Sequence, residues 1–61
     1  EEFAQREAKE AIKQVREGGQ PVDLSPQTAP IRRLQHEWAE AEQLKSSSFG
    51  VEPERFVRIY S

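Results

Sequence analysis

The sequence predicts an α+β domain, with a three-stranded, largely antiparallel sheet carrying two helices on one face in the order α-β-α-β-β. Three observations lead there. Two stretches repeat apolar residues at three- and four-residue spacing, as amphipathic helices do. Arg55-Phe56-Val57-Arg58-Ile59-Tyr60 alternates in the two-residue period of a strand. The chain has 61 residues, enough for one core that buries about 60% of the unfolded surface. Two helices and a small sheet solve that burial problem by packing face to face.

The first helix is expected from Glu2 to Glu17, with Phe3, Ala4, Ala8, Ala11, Ile12 and Val15 on one stripe. Charged residues fill its other side as a solvated face. Gly18-Gly19 stops it, because glycine enters the left-handed terminal conformation without a steric cost. Gln20 to Leu24 reads as a short edge strand with Val22 and Leu24 on the same side, since Pro21 is tolerated only at an edge. Ser25 to Pro30 is a turn, with Thr28 or Ala29 as cap and Pro30 in the first helical turn, where its missing N–H costs nothing. Lys45 to Phe49 is a second strand despite its three serines, and Gly50 to Glu54 is a turn by composition.

The second helix is expected from Pro30 to about Leu44. On a helical wheel Ile31, Leu34, Trp38 and Ala41 share one stripe, with Leu44 at its edge. Arg32 and His36, one turn apart, then fall on nearly the opposite side, turned away from the core. The expected core is Trp38, Leu34, Ile12, Val15, Val22, Val57 and Ile59. An apolar stripe is a folding signal, whereas the only histidine of the chain beside an arginine on the outer face is a candidate site.

Composition removes several classes of function. With no cysteine there is no disulfide, thiolate metal site or cysteine nucleophile, and a single histidine makes a transition-metal centre unexpected. No apolar run could span a bilayer and no signal peptide is visible, and the lack of cysteine fits a reducing cytoplasm. The chain opens on Glu1 rather than methionine, so residues 1–61 are expected to be one domain cut from a longer protein. The net charge of −2 excludes a polybasic domain that coats nucleic acid by charge alone. An enzyme pairing His36 with Ser46, Ser47 or Ser48 lacks a nucleophile turn and an acid to orient the imidazole.

Arg32-Arg33-Leu34-Gln35-His36 is a weak motif by spacing alone. Its context is more specific: Pro21-Val22-x-Leu24-x-Pro26 precedes it, Ser48-Phe49-Gly50 follows, and Arg55 to Tyr60 closes the chain. Over about residues 4 to 60 the sequence resembles the R-3-H domain, a nucleic-acid-binding module named for an Arg and a His with three residues between them. Gly19-x-Pro21-Val22-x-Leu24 after a leading helix looks most like the version in bacterial Jag proteins, where the module follows a KH domain. The resemblance implies binding of single-stranded RNA or DNA without catalysis, cofactor or small-molecule substrate, assisted by an attached neighbour such as a KH domain. It carries the family's surface residues onto Arg32 and His36, and its basic residue at the last strand onto Arg55. Two positions depart from the pattern: Glu52 stands where the family has a second glycine, and Gln27 where a methionine often follows the proline.

Single strands offer phosphates to cations and base faces to flat side chains. Arg32 can fork onto a phosphate or stack on a base, and His36 is expected to act as a neutral hydrogen-bonding or stacking group. Arg55, Arg58 and Lys45 could extend the positive track, although Glu52 and Glu54 flank Arg55. Phe56, Arg58 and Tyr60 on the outward face could form a second platform that stacks bases. The favoured alternative is that Phe56 and Tyr60 cover the open face of the sheet or pack against a neighbouring domain. A rival reading uses them, with the acidic first helix, to dock a protein partner.

Overall fold

In the computed structural model, which describes residues 2–61, helix α1 spans Glu2–Gly18 and buries Ala4, Ala8, Ala11, Ile12 and Val15 along one row. Glu1, part of the expected domain, lies outside the described residues. Three alanines on that row let neighbouring elements approach the helix axis closely. Phe3, expected on the stripe, is 54% exposed: one residue before Ala4 it is turned about 100° off the buried row. The helix stops where the glycines predict. Gly19 takes φ +73° and donates its N–H to the Val15 carbonyl at 2.8 Å.

Strand β1 is only Val22–Asp23, shorter than expected, although the Leu24 N–H continues its ladder to the Val57 carbonyl at 2.8 Å. The loop that follows is tied back to α1, since the Glu7 carboxylate accepts both the N–H and the hydroxyl of Ser25. Helix α2 runs Ala29–Ala41, with Pro30 in its first turn and Thr28 as N-cap residue. It ends three residues before the expected Leu44. Gln43 adopts φ +64°, its N–H bonds the Glu40 carbonyl, and the Leu44 N–H reaches back to Ala39. This is a Schellman cap built without glycine, at a cost of about 1 kcal/mol for a side chain in the left-handed region. Arg16 of α1 holds the same corner, contacting both the carbonyl and the carboxylate of Glu42.

Strands β2 (Lys45–Phe49) and β3 (Phe56–Tyr60) pair antiparallel, and β1 pairs antiparallel with the other side of β3, giving the sheet order β1-β3-β2. The α+β architecture and its order of elements are as the sequence predicts. Arg55 lies just ahead of β3 rather than within it. Gly50 is required in the connecting turn: its φ is +92°, and a Cβ there would stand 3.1 Å from the Glu54 carbonyl oxygen. Val57 and Ile59 are fully buried beneath the helices and join Ile12, Val15, Leu24 and Ala39 in the core. Among the described residues, no helix is long and apolar enough to cross a membrane.

Helix α2 overturns one expectation. Its buried residues are Arg32, Gln35 and Ala39, with His36 half-buried beside them, while Ile31, Leu34 and Trp38 are only partly covered and Ala41 is exposed. The helix is thus turned by about one residue, or 100°, from the orientation its apolar stripe suggests. Two neighbours compete for it. Trp38 lines a groove with Ala8 and Ile12 of α1, whereas the row facing the sheet meets β2, whose inward residues are Ser46 and Ser48. A serine-lined strand satisfies its hydroxyls only against polar groups, so the polar row of α2 faces inward.

Candidate nucleic-acid interface

Arg32 and His36 are one turn apart on α2 as their spacing requires, but both point toward the sheet edge and neither stands free in solvent. Thr28 starts the helix by accepting the Arg32 N–H, which sets the arginine in the first turn. Its side chain, 11% exposed, donates Nη1 to the Gln27 carbonyl at 2.7 Å and places Nη2 2.9 Å from the Glu52 carboxylate. Glu52 comes from the β2–β3 turn. The guanidinium thereby links the N-terminus of α2 to the hairpin.

His36 is pinned in a second way. Its Nδ1 lies 2.5 Å from the Ser46 hydroxyl and its Nε2 2.9 Å from that of Ser48, two residues apart on the inward side of β2. Hydroxyls both donate and accept, so the serine pair satisfies the ring in either tautomer. The structure brings together the histidine and the serines of the rejected enzyme reading. With both ring nitrogens taken by hydroxyls, no carboxylate orients the imidazole as a base. The ring acts as a bolt between helix and strand.

Arg55 donates Nη1 to the Gly50 carbonyl at 2.8 Å, while its own carbonyl accepts the Gln27 N–H at 3.2 Å. Gln27, Arg32, Gly50, Glu52 and Arg55 therefore form one connected corner, with His36 a turn further along. Lys45 is exposed at the start of β2.

Arg58 is elsewhere. Its register with Ser47 and Asp23 puts it on the open face of the sheet, across from the helices. It binds the Asp23 carboxylate through Nε at 2.6 Å and Nη2 at 3.2 Å, and its guanidinium lies 4.6 Å above the Phe49 ring. Phe49 in turn sits 6.1 Å from Phe56, so the aromatics of this face cover one another and the strands beneath. The hydrogen bond from Arg58 holds the Asp23 carboxyl below its ordinary value of 3.8, against a smaller opposing effect of burial. A depressed carboxyl stabilises the fold above its unfolded value and loses that contribution as pH falls through the folded one. Asp23→Asn is expected to lower the urea midpoint slightly at neutral pH, and the difference from the parent should shrink as pH falls through the carboxyl's lowered folded value. A gap that persists in acid would mean that shape rather than charge holds the pair.

A family model describing the R-3-H domain matches residues 2–61. The chain belongs to the R-3-H domain family. The family is one of nucleic-acid-binding modules and not of catalysts. A 39-residue stretch, 64% of the chain, is 49% identical to the uncharacterized protein ycf45 of Porphyra purpurea. The match spans 7% of that protein's length. No solved structure matches the chain.

Of the five expected site residues, Arg32, Arg55 and His36 border the seam between α2 and β2, with Lys45 at the far end of the strand and Arg58 on the opposite face. Sequence reasoning paired His36 with Ser46 and Ser48 only in the enzyme reading it set aside, and it missed Glu52 as the partner of Arg32. A signal was present for the serines, because alternation along β2 puts positions 46 and 48 on the same side as Val57 and Ile59.

Proposed function

We propose that this R-3-H domain binds single-stranded nucleic acid, RNA above all, along the α2–β2 seam, without catalysis and with little base preference. The observation that carries this reading is the row Arg32–His36, held in one orientation by Gln27, Glu52, Ser46 and Ser48 beside β2, an edge strand of the sheet. Side chains fixed before the ligand arrives lose little rotamer freedom on binding. Arg55 and Lys45 supply further cations at the two ends of the seam. Arg58, locked to Asp23 on the other face, contributes nothing in this scheme. A net charge of −2 limits the affinity, so an attached neighbouring domain such as a KH domain raises it through effective concentration.

Titrating a labelled single-stranded RNA into the isotope-labelled domain tests this. Shifts should concentrate at Arg32, His36, Ser48 and Arg55 and spare Arg58. The logarithm of the binding constant should fall with the logarithm of salt at a slope of about −1.5 to −3, corresponding to two to four phosphate contacts. Arg32→Lys, which keeps the charge and loses the fork, should weaken binding while the domain stays folded. Replacing both Arg32 and His36 by alanine would strip four protein groups of partners and mix folding with binding. Shifts confined to Phe56, Tyr60 and α1, or none at all, would refute the assignment.

A further inference from the structure

The row Arg32–His36 continues one turn further to Glu40, and a cleft opens there at the edge of the sheet. Its volume is about 420 Å³, and it is lined by His36, Glu40, Leu44, Lys45, Ser46 and Tyr60. Ser46 faces the helices through its bond to His36, whereas Lys45 and Tyr60 oppose one another in the register of the open face. The cleft therefore wraps around strand β2, joining the helix side of the sheet to its solvent side. Clefts of this size hold a ligand of a few hundred daltons, which a single nucleotide is.

The lining chemistry narrows the ligand. His36 and Tyr60 are two flat rings, and the ring of His36 is fixed at both nitrogens. Lys45 is an exposed ammonium suited to a phosphate. Glu40 is exposed and forms no ion pair among the described residues. A free carboxylate repels a phosphate backbone unless the ligand offers it a donor. The sugar hydroxyl that distinguishes RNA from DNA is a donor present on every ribonucleotide and on no deoxyribonucleotide.

We infer that this cleft seats one ribonucleotide of a bound single strand, with the Glu40 carboxylate accepting the 2′-hydroxyl and Lys45 meeting a flanking phosphate. The inference rests on the nucleic-acid reading above and adds to it a reason for choosing RNA. The carboxylate acts in two ways, rewarding a strand with 2′-hydroxyls and repelling one without them.

Fluorescence anisotropy with RNA and DNA oligonucleotides of the same length and base sequence tests it on the intact chain. The parent domain should bind the RNA about 3- to 10-fold more tightly, the worth of one ordinary hydrogen bond at an exposed site. Glu40→Ala, a change on an exposed helical surface that favours the helix, should abolish the difference by weakening RNA binding and leaving DNA binding equal or tighter. Equal binding of RNA and DNA by the parent would overturn the inference while leaving the nucleic-acid reading in place. An RNA preference that survives in Glu40→Ala would also overturn it, by assigning discrimination to another group. Failure of both oligonucleotides to bind would overturn both readings.

Discussion

Gln35→Met should raise the thermal midpoint of this domain. Gln35 is fully buried on the sheet-facing side of α2, and neither its side-chain oxygen nor its nitrogen has a protein hydrogen-bond partner. A buried amide without partners has given up its water and regained nothing, a penalty of about 1–3 kcal/mol. Methionine is unbranched, has nearly the same length, and fills an irregular space without a polar atom. The position is central, sharing the inward row of α2 with Arg32 and Ala39 and lying in a helix that packs on β2, β3 and α1. For a domain of about 60 residues each kcal/mol is worth roughly 4–8 °C in midpoint. Calorimetry of the two proteins side by side decides the point. An unchanged or lower midpoint would mean that the amide is satisfied in solution and that Gln35 contributes to the fold. Because Gln35 adjoins His36 in the chain, the same variant also separates stability from function: seam binding should survive it.

Much of this architecture is legible in the sequence because one pattern governs each piece. The alanine row of α1 has a single face to bury, and its Gly19 stop requires a left-handed residue at that position. Val57 and Ile59 alternate with Phe56, Arg58 and Tyr60, and the sheet divides them between its two faces in the same way. The rotation of α2 is not legible in this manner. Hydrophobic periodicity reports the most apolar stripe, but a helix wedged between another helix and a sheet has two faces to cover. Trp38 answers α1, and the polar row answers the serines of β2, a complementarity that appears only when the two elements are placed together. The end of α2 escapes for a local reason, since its left-handed cap is Gln43 where a glycine would have announced the stop. The candidate site divides along the same line. Spacing locates Arg32 and His36 on one row, whereas the partners that hold them, Gln27 apart, are residues ten or more positions away.

Glu52→Gln should tighten nucleic-acid binding at a small cost in stability. The Glu52 carboxylate lies 2.9 Å from Nη2 of Arg32, where the phosphate oxygen of a strand bound along the seam would sit. It is thus an internal anion competing for the one fork that the proposed function requires. The pair is lopsided: the arginine is 11% exposed and held by Gln27 as well, while the glutamate is 59% exposed on a turn. Removing the carboxylate leaves Arg32 anchored by the Gln27 carbonyl with its second arm free. A partly exposed ion pair is worth at most about 1 kcal/mol, which bounds both the lost stability and the gained affinity, the latter at roughly fivefold. If phosphate takes the vacated position, the salt slope should also steepen by about 0.7, the value of one additional contact to a single strand. Glu54→Gln is the control, because it removes the same charge from the same turn without touching Arg32. A general charge effect would raise affinity equally in both variants and would refute direct competition. A gain specific to position 52, with the steeper slope, would identify Glu52 as an internal competitor for the phosphate.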